Sequence, residues 1–204
     1  MKTIFIAGPH GSGKTTLISK LIGDSSKFIK DDFTIDFTHE METLPEMTIF
    51  EKCLVRLYHR FYTAERAIAK SENNTEDKVL VVDRSIYDSL VYIEVEHKLG
   101  ELTDEQYDKL MNIVNNGIEM IKPYTVVLNP YPEEVVRRLD IRHKQGTRKK
   151  RDELCAREDN VEYVGLMTEV FKKISHDENI FCIHNNEDED IKEIYQWVDK
   201  AVLA

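Results

Sequence analysis

Residues 8–15 read Gly-Pro-His-Gly-Ser-Gly-Lys-Thr, which is the pattern G-x-x-x-x-G-K-[ST]. Glycines at these positions let successive backbone N–H groups point inward at phosphate oxygens. The ammonium of Lys14 can then reach the β and γ phosphates of a nucleotide, and the hydroxyl of Thr15 is a ligand for Mg²⁺. The pattern predicts that the chain binds ATP or GTP. The predicted nucleotide-binding residues are Gly8, Pro9, His10, Gly11, Ser12, Gly13, Lys14, Thr15 and Thr16.

The sequence on either side of this loop supports the prediction. Residues 2–7 form a short apolar run, which suits a buried parallel strand. Residues 16–22 have helical spacing of apolar side chains and are followed by Gly23. A helix at that place aims its positive N-terminal end at the bound anion. Strand, glycine loop and helix therefore stand in the order that phosphate binding requires.

Further along the chain, apolar strands alternate with helical stretches. This alternation predicts an α/β fold with a five-stranded parallel sheet between helices, in one P-loop kinase domain over 1–204. The predicted strands lie near 2–7, 78–82, 125–129 and 179–183, with a weaker one near 27–37. The predicted helices span about 46–70, 86–99, 103–122, 132–143, 157–175 and 187–203.

Composition narrows the function further. The 204 residues carry a net charge of −10, which argues against nucleic acid or an anionic membrane as the main partner. No apolar run is long enough to cross a membrane. The three cysteines are widely spaced and lack a C-x-x-C pattern, so neither a disulfide framework nor a zinc site is predicted. The first strand begins at residue 2, where a cleaved signal peptide would otherwise lie. This position and the cysteine pattern together predict a cytoplasmic protein.

Positive charge is concentrated in one stretch, with only Asp140 among the basic residues. A solvated helix face would normally mix the two signs of charge. In a nucleotide enzyme such a stretch is a candidate clamp for phosphates. Its members are Arg137, Arg138, Arg142, Lys144, Arg148, Lys149, Lys150 and Arg151.

A second candidate site follows the apolar run 78–82, which ends in Asp83-Arg84. Since the carboxyl ends of parallel strands meet along one crevice, these side chains are expected beside the phosphate-binding loop. A carboxylate there can hold Mg²⁺ or accept a proton from a nucleophile, which makes Asp83 a predicted metal ligand and catalytic residue beside Thr15 and Lys14. The guanidinium of Arg84 can grip a phosphate through two hydrogen bonds.

Three stretches resemble the thymidylate kinases, within the group of nucleoside monophosphate kinases and deoxynucleoside kinases. Residues 83–92 are similar to the family's D-R-Y-x-x-S-x-x-A-Y stretch, and residues 61–66 to its L-F-A-A-D-R helix. Residues 123–138 resemble its P-D-L-T-x-x-L-D-x-x-P-E-x-x-x-x-R strand and helix.

The resemblance implies roles on the acceptor side. Tyr62 takes the place of the aromatic residue that stacks on the base, and Arg66 that of the arginine that donates to a base carbonyl. Arg84 matches the residue that holds the acceptor phosphate. Tyr92 matches the tyrosine that lies under the sugar and disfavours a ribose 2′-hydroxyl. The resemblance also implies nucleotide substrates and leaves a homodimer open.

The basic stretch resembles the family's lid, over about 142–156. Some members carry a catalytic arginine inside the phosphate-binding loop, where this chain has Gly11. The resemblance therefore implies that the lid supplies this charge, with Arg142, Arg148 and Arg151 as the candidates. Two acceptor-side features of the family are missing: His10 replaces an acid, and no Glu-Pro-Gly segment follows the second strand. His10 is expected either to meet an acceptor phosphate or to face solvent.

These observations together predict Mg²⁺-dependent transfer of the γ-phosphoryl group of ATP to a pyrimidine deoxynucleoside monophosphate, dTMP first. The alternative is a deoxynucleoside kinase that phosphorylates a 5′-hydroxyl. This class commonly carries Glu-Arg-Ser where residues 83–85 read Asp-Arg-Ser. A GTPase switch would need an N-K-x-D-like motif, which the sequence lacks. A nucleic-acid end kinase would need a broadly basic path, and a nucleotide-binding regulator without turnover is the remaining candidate.

Overall fold

A computed structural model describes residues 1–33, 46–147 and 156–203. Within these ranges five parallel strands form one sheet in the order β2-β3-β1-β4-β5, which confirms the predicted fold class. The strands are β1 (Lys2–Ala7), β2 (Phe28–Lys30), β3 (Val79–Asp83), β4 (Thr125–Leu128) and β5 (Ile180–Ile183). The weak strand predicted near 27–37 is thus only three residues long, and its end at 34–37 lies outside the described residues.

Seven α-helices are present in the described part of the chain. They are α1 (Lys14–Asp24), α2 (Ile49–Glu72), α3 (Ile86–Lys98), α4 (Asp104–Ile121), α5 (Pro132–Lys144), α6 (Val161–Ile174) and α7 (Asp188–Trp197). A 3₁₀ turn at Ala156–Glu158 precedes α6, and a π-helical turn at Val198–Val202 follows α7. Two helices begin at residues other than those predicted, and their N-terminal caps explain the difference. Thr48 caps α2 and Asn160 caps α6, so both helices begin later than their apolar spacing indicates.

Alternate residues of the strands face two hydrophobic layers. In β1, Phe5 and Ala7 pack on one side with α2, α3, α4 and α6. Ile4 and Ile6 pack on the other side with α1 and α7. Both layers are buried, as expected for a parallel sheet covered by helices on each face. The carboxyl ends of the strands are left open at one edge, where the loops after β1, β3, β4 and β5 meet.

Two of the cysteines belong to these packed layers. Cys53 is buried and Cys182 is half-buried, and both are free thiols. Burial raises the pKa of the Cys53 thiol to about 12, so it is inert at neutral pH. Cys155 lies outside the described residues. In the part of the chain that the structure describes, we find no helix with the length and apolar character needed to span a membrane.

Candidate active site

The phosphate-binding loop packs closely against its neighbours. Gly8 has φ +138°, and a Cβ there would lie 2.2 Å from the carbonyl oxygen of Leu128 in β4. Gly11 has φ +81°, and its Cβ would come within 2.8 Å of Leu139 in α5. Both positions combine a left-handed backbone with a contact that leaves no room for a side chain. The loop is therefore held between β4 and α5, at the amino end of α1.

Lys14 lies folded over this loop. Its Nζ donates hydrogen bonds to the carbonyl oxygens of Gly8 at 2.8 Å and Pro9 at 2.6 Å. Burial, and then the nearby charge of Arg84, lower the pKa of Lys14 to about 7. An anion bound in the loop would stabilise the protonated ammonium and reverse this effect. The geometry therefore fits a lysine that becomes fully protonated when phosphate binds in the loop.

Arg84 is held beside the same loop by an aspartate that the sequence analysis missed. Arg84 has φ +89°, and its Nη1 donates to Asp88 Oδ1 at 3.2 Å and to the Gly8 carbonyl at 3.3 Å. Asp88 also accepts from the backbone N–H groups of Gly8 at 3.3 Å and Ser85 at 2.8 Å. Burial opposes the charge of Arg84, but the Asp88 carboxylate raises the pKa of the guanidinium overall. The signal in the sequence was the capping pattern Ser85-x-x-Asp88, which also caps α3.

The two predicted metal ligands are both exposed. Asp83 ends β3, and Thr15 lies in the first turn of α1. In the sheet Asp83 is level with Ile6, so it lies at the strand end next to the start of the loop. Hydroxyl and carboxylate oxygens are the donors that Mg²⁺ prefers. The described residues contain no cluster of three or more candidate metal ligands, so phosphate and water oxygens would have to complete the coordination of a bound Mg²⁺.

The predicted acceptor residues fall into two groups. Tyr92 is buried on α3, where its hydroxyl acts electrostatically on Arg84. On α2, Tyr62 is half exposed and its ring stacks on that of Tyr58 with 6.1 Å between centroids. The guanidinium of Arg66 lies 3.6 Å from the centroid of the Phe33 ring. The structure thus places Arg66 against Phe33, shortly after β2, and buries Tyr92 in α3.

A pair of stacked rings, also missed by the sequence analysis, is formed by residues that follow β4 and β5. Tyr131 is 77% exposed, and its ring stacks on His184 with 6.4 Å between centroids and 12° between planes. Nδ1 of His184 is 2.8 Å from the carbonyl oxygen of Asn129, which ties the residues after β4 and β5 together. Asn186 donates to the carbonyl oxygen of Gly13 at 3.3 Å.

The basic stretch is less strongly positive than its sequence indicates, because acids of α5 pair with several of its members. Three of its members are paired within α5, because Glu134 accepts from Arg137 and Arg138, and Asp140 accepts from Lys144. Arg138 also donates to the carbonyl oxygen of Ser12 in the loop at 2.7 Å. Arg142 lies in the last turn of α5. Arg148, Lys149, Lys150 and Arg151, and with them most of the predicted lid, lie outside the described residues.

His10 does not face solvent, contrary to one of the two expectations. Its side chain is 8% exposed, and Nε2 lies 2.5 Å from Oδ1 of Asp159. Nδ1 is 3.9 Å from Oε2 of Glu158, a buried carboxylate whose other oxygen accepts from Arg56 at 2.6 Å. The position that carries an acid in the thymidylate kinases is therefore occupied by a base between two acids.

The loop, its lysine and the strand-end residues define a P-loop nucleotide-binding protein, and comparison with known proteins agrees. The family model AAA_28, described as an AAA domain, matches residues 3–158. The chain therefore belongs to this family.

The relatives found are deoxynucleoside kinases. A deoxyguanosine kinase of Lactobacillus acidophilus is 26% identical over 125 residues, which are 57% of this chain and 49% of that protein, so the match spans about half of its length. The structure of deoxyadenosine kinase from M. mycoides with bound dATP has a TM-score of 0.69 at 14% identity, covering 98% of this chain and 100% of that one. The same enzyme with the products dCMP and a flexible dCDP gives a TM-score of 0.69 at 16% identity, with coverage of 97% and 99%. These structures share the fold.

Proposed function

We propose that the chain is a deoxynucleoside kinase, which transfers the γ-phosphoryl group of ATP to the 5′-hydroxyl of a deoxynucleoside. The observation that carries the proposal is the position of Arg84 and Asp88 directly against the phosphate-binding loop, next to Lys14. A donor phosphate site and an acceptor-side cation therefore adjoin at two neighbouring strand ends. Such an arrangement can align two reactants, which is most of what phosphoryl transfer requires.

The proposal gives each residue of the site a role. Lys14 and the loop amides would hold the β and γ phosphates, and Thr15 and Asp83 would hold the Mg²⁺ ion that accompanies ATP. In this proposal Asp83 would also take the proton of the attacking 5′-hydroxyl. Arg84 screens the charge that spreads over the transferred group. In this proposal the lid arginines Arg142, Arg148 and Arg151 add further positive charge.

The substrates occupy opposite sides of the loop. The base of ATP packs on the exposed Tyr131 ring, since stacking on an aromatic side chain needs an accessible face. The acceptor lies between α2 and α3, with its base near Tyr62 and Arg66 and its sugar near Tyr92. Because Tyr92 matches the family tyrosine that disfavours a ribose 2′-hydroxyl, deoxyribose is preferred.

The names of the relatives favour a nucleoside over dTMP as the acceptor. The relatives are named as deoxynucleoside kinases rather than thymidylate kinases.

The test is an acceptor panel. ADP release from MgATP is measured with the four deoxynucleosides, with thymidine compared directly against dTMP, and with Lys14→Ala as the inactive control. We expect at least one deoxynucleoside to exceed dTMP in kcat/KM by tenfold or more, on the order of the discrimination that one charged contact gives. A kcat/KM for dTMP above those of all four nucleosides would restore the monophosphate kinase prediction.

A further inference from the structure

A short segment before α6 joins three parts of the candidate active site. We call Arg157, Glu158 and Asp159 the anchor segment. Each member pairs with a different element. The pairs are Arg157 with Glu96 of α3 at 2.6 Å, Glu158 with Arg56 of α2 at 2.6 Å, and Asp159 with His10 of the loop at 2.5 Å.

The anchor segment is itself held in place. Asn160 caps α6 by accepting from the N–H of Tyr163 at 2.9 Å, and it donates to the carbonyl oxygen of Arg157 at 2.8 Å. Glu96 is 1% exposed and accepts from both Arg157 and the Tyr163 hydroxyl, the latter at 2.9 Å. These bonds fix the segment to α6 and α3. His10 is thus attached to a rigid support rather than to a solvent-exposed carboxylate.

His10 is adjacent to the backbone that accepts hydrogen bonds from Lys14. It follows Pro9, whose carbonyl oxygen is 2.6 Å from the Lys14 ammonium. Within the described residues, Nδ1 of His10 and Oε2 of Glu158 have no hydrogen-bond partner, although both are buried and lie 3.9 Å apart. The imidazole therefore faces acids on two sides. Removing the imidazole would leave the loop without this contact. It would also leave the carboxylates of Glu158 and Asp159 without the base between them.

The same contacts lead to the acceptor side. Glu158 holds Arg56, and the guanidinium of Arg56 lies 3.9 Å from the centroid of the Tyr92 ring. We propose that His10 is a positioning residue, which fixes the phosphate-binding loop to the acceptor-side helices through the anchor segment and so couples binding of the two substrates. Only the acceptor part of this inference rests on the proposed function.

The first experiment measures the loop alone. The Kd of a non-hydrolysable ATP analogue and the amide hydrogen exchange of residues 8–13 are compared in His10→Ala, Asp159→Ala and the double variant. We expect each single variant to weaken binding about tenfold and to speed exchange, with the double variant no worse than either single one. His10→Gln, which keeps a donor near the place of Nε2, should bind within about threefold of the wild type.

The pair His97 and Asp104 is the matched control, since its atoms are 2.9 Å apart on the surface between α3 and α4. Its variants should change binding less than about twofold and additively. Wild-type affinity and exchange in His10→Ala would overturn the inference. The inference would also be overturned if the His10 and Asp159 variants weakened binding additively, or if His10→Gln weakened it as much as His10→Ala. If His10→Ala does not fold, Asp159→Ala is compared with His10→Gln, because Asp159 is outside the loop and His10→Gln keeps a donor.

The second experiment measures coupling. The Kd of the ATP analogue is determined with and without a saturating deoxynucleoside. In the wild type the deoxynucleoside should tighten analogue binding, and in His10→Ala this ratio should fall to about one. An unchanged ratio in His10→Ala, or no tightening in the wild type, would overturn the coupling. If no deoxynucleoside binds at all, the proposed function fails, while the first experiment still decides the role of His10 in the loop.

Discussion

ATP binding should draw a proton from solvent onto Lys14. Burial, followed by the positive charge of Arg84, lowers the pKa of this lysine from 10.5 to about 7 in the free protein. At pH 8 about nine-tenths of the free protein then carries a neutral Lys14. The phosphates of ATP favour the charged form, so binding at pH 8 should take up about 0.9 proton per site. Between pH 7 and pH 9 the affinity should fall roughly fiftyfold, since protonation of the free lysine becomes progressively less favourable.

Calorimetry checks this directly. The enthalpy of MgATP binding is measured at pH 8 in Tris and in HEPES, which differ in ionisation enthalpy, and the difference gives the number of protons taken up. The phosphate groups, with a second pKa of about 6, are already ionised at this pH and contribute little. Lys14→Met should abolish the uptake, and Lys109→Met, at an exposed lysine of α4, should leave it unchanged. Equal enthalpies in both buffers for the wild type would refute the reasoning.

The same pKa has a consequence for stability. The folded protein binds this proton less tightly than the unfolded chain, so the free energy of unfolding should rise with pH between about 7 and 10.5. A fall of the pKa from 10.5 to about 7 corresponds to about 5 kcal/mol at most. The gain should be absent in Lys14→Met, and urea unfolding of both proteins across this range measures the difference. A difference between the two proteins that does not change with pH would contradict the lowered pKa.

Asp83→Asn should lower kcat at least tenfold with little change in the KM for ATP, as measured by steady-state kinetics with both substrates. A higher KM for ATP with an unchanged kcat would contradict a catalytic role of Asp83. Arg84→Gln should lower kcat by about a hundredfold and leave Asp88 buried without its cation; wild-type turnover would remove Arg84 from the site. Gly11→Ala should destabilise the protein by about 1–3 kcal/mol in urea unfolding, because the new methyl group meets Leu139, and no loss of stability would mean that the loop can move away from α5. Tyr131→Ala should raise the KM for ATP about tenfold and that of the acceptor by less than twofold, and the reverse pattern would place the base of ATP elsewhere.

The sequence by itself determined the frame of the site. Glycine spacing, Lys14 and the apolar runs depend on local backbone requirements and burial, which a single sequence displays directly, and the structure has the predicted five strands and loop. The strand end at Asp83 was equally readable, because parallel strands bring their carboxyl ends to one edge. The strand β2 was hard to predict, since three residues have too few side chains to show a pattern.

Only the tertiary structure decided which charges meet. His10 and Asp159 are 149 positions apart, so no spacing rule could pair them, and burial made the imidazole a partner of two acids rather than a solvent-facing group. Tyr131 and His184 become one stacked surface only because β4 and β5 are neighbours in the sheet. Local sequence fixes which backbone can bind phosphate, whereas the partners of each charged side chain depend on distant segments that fold against it.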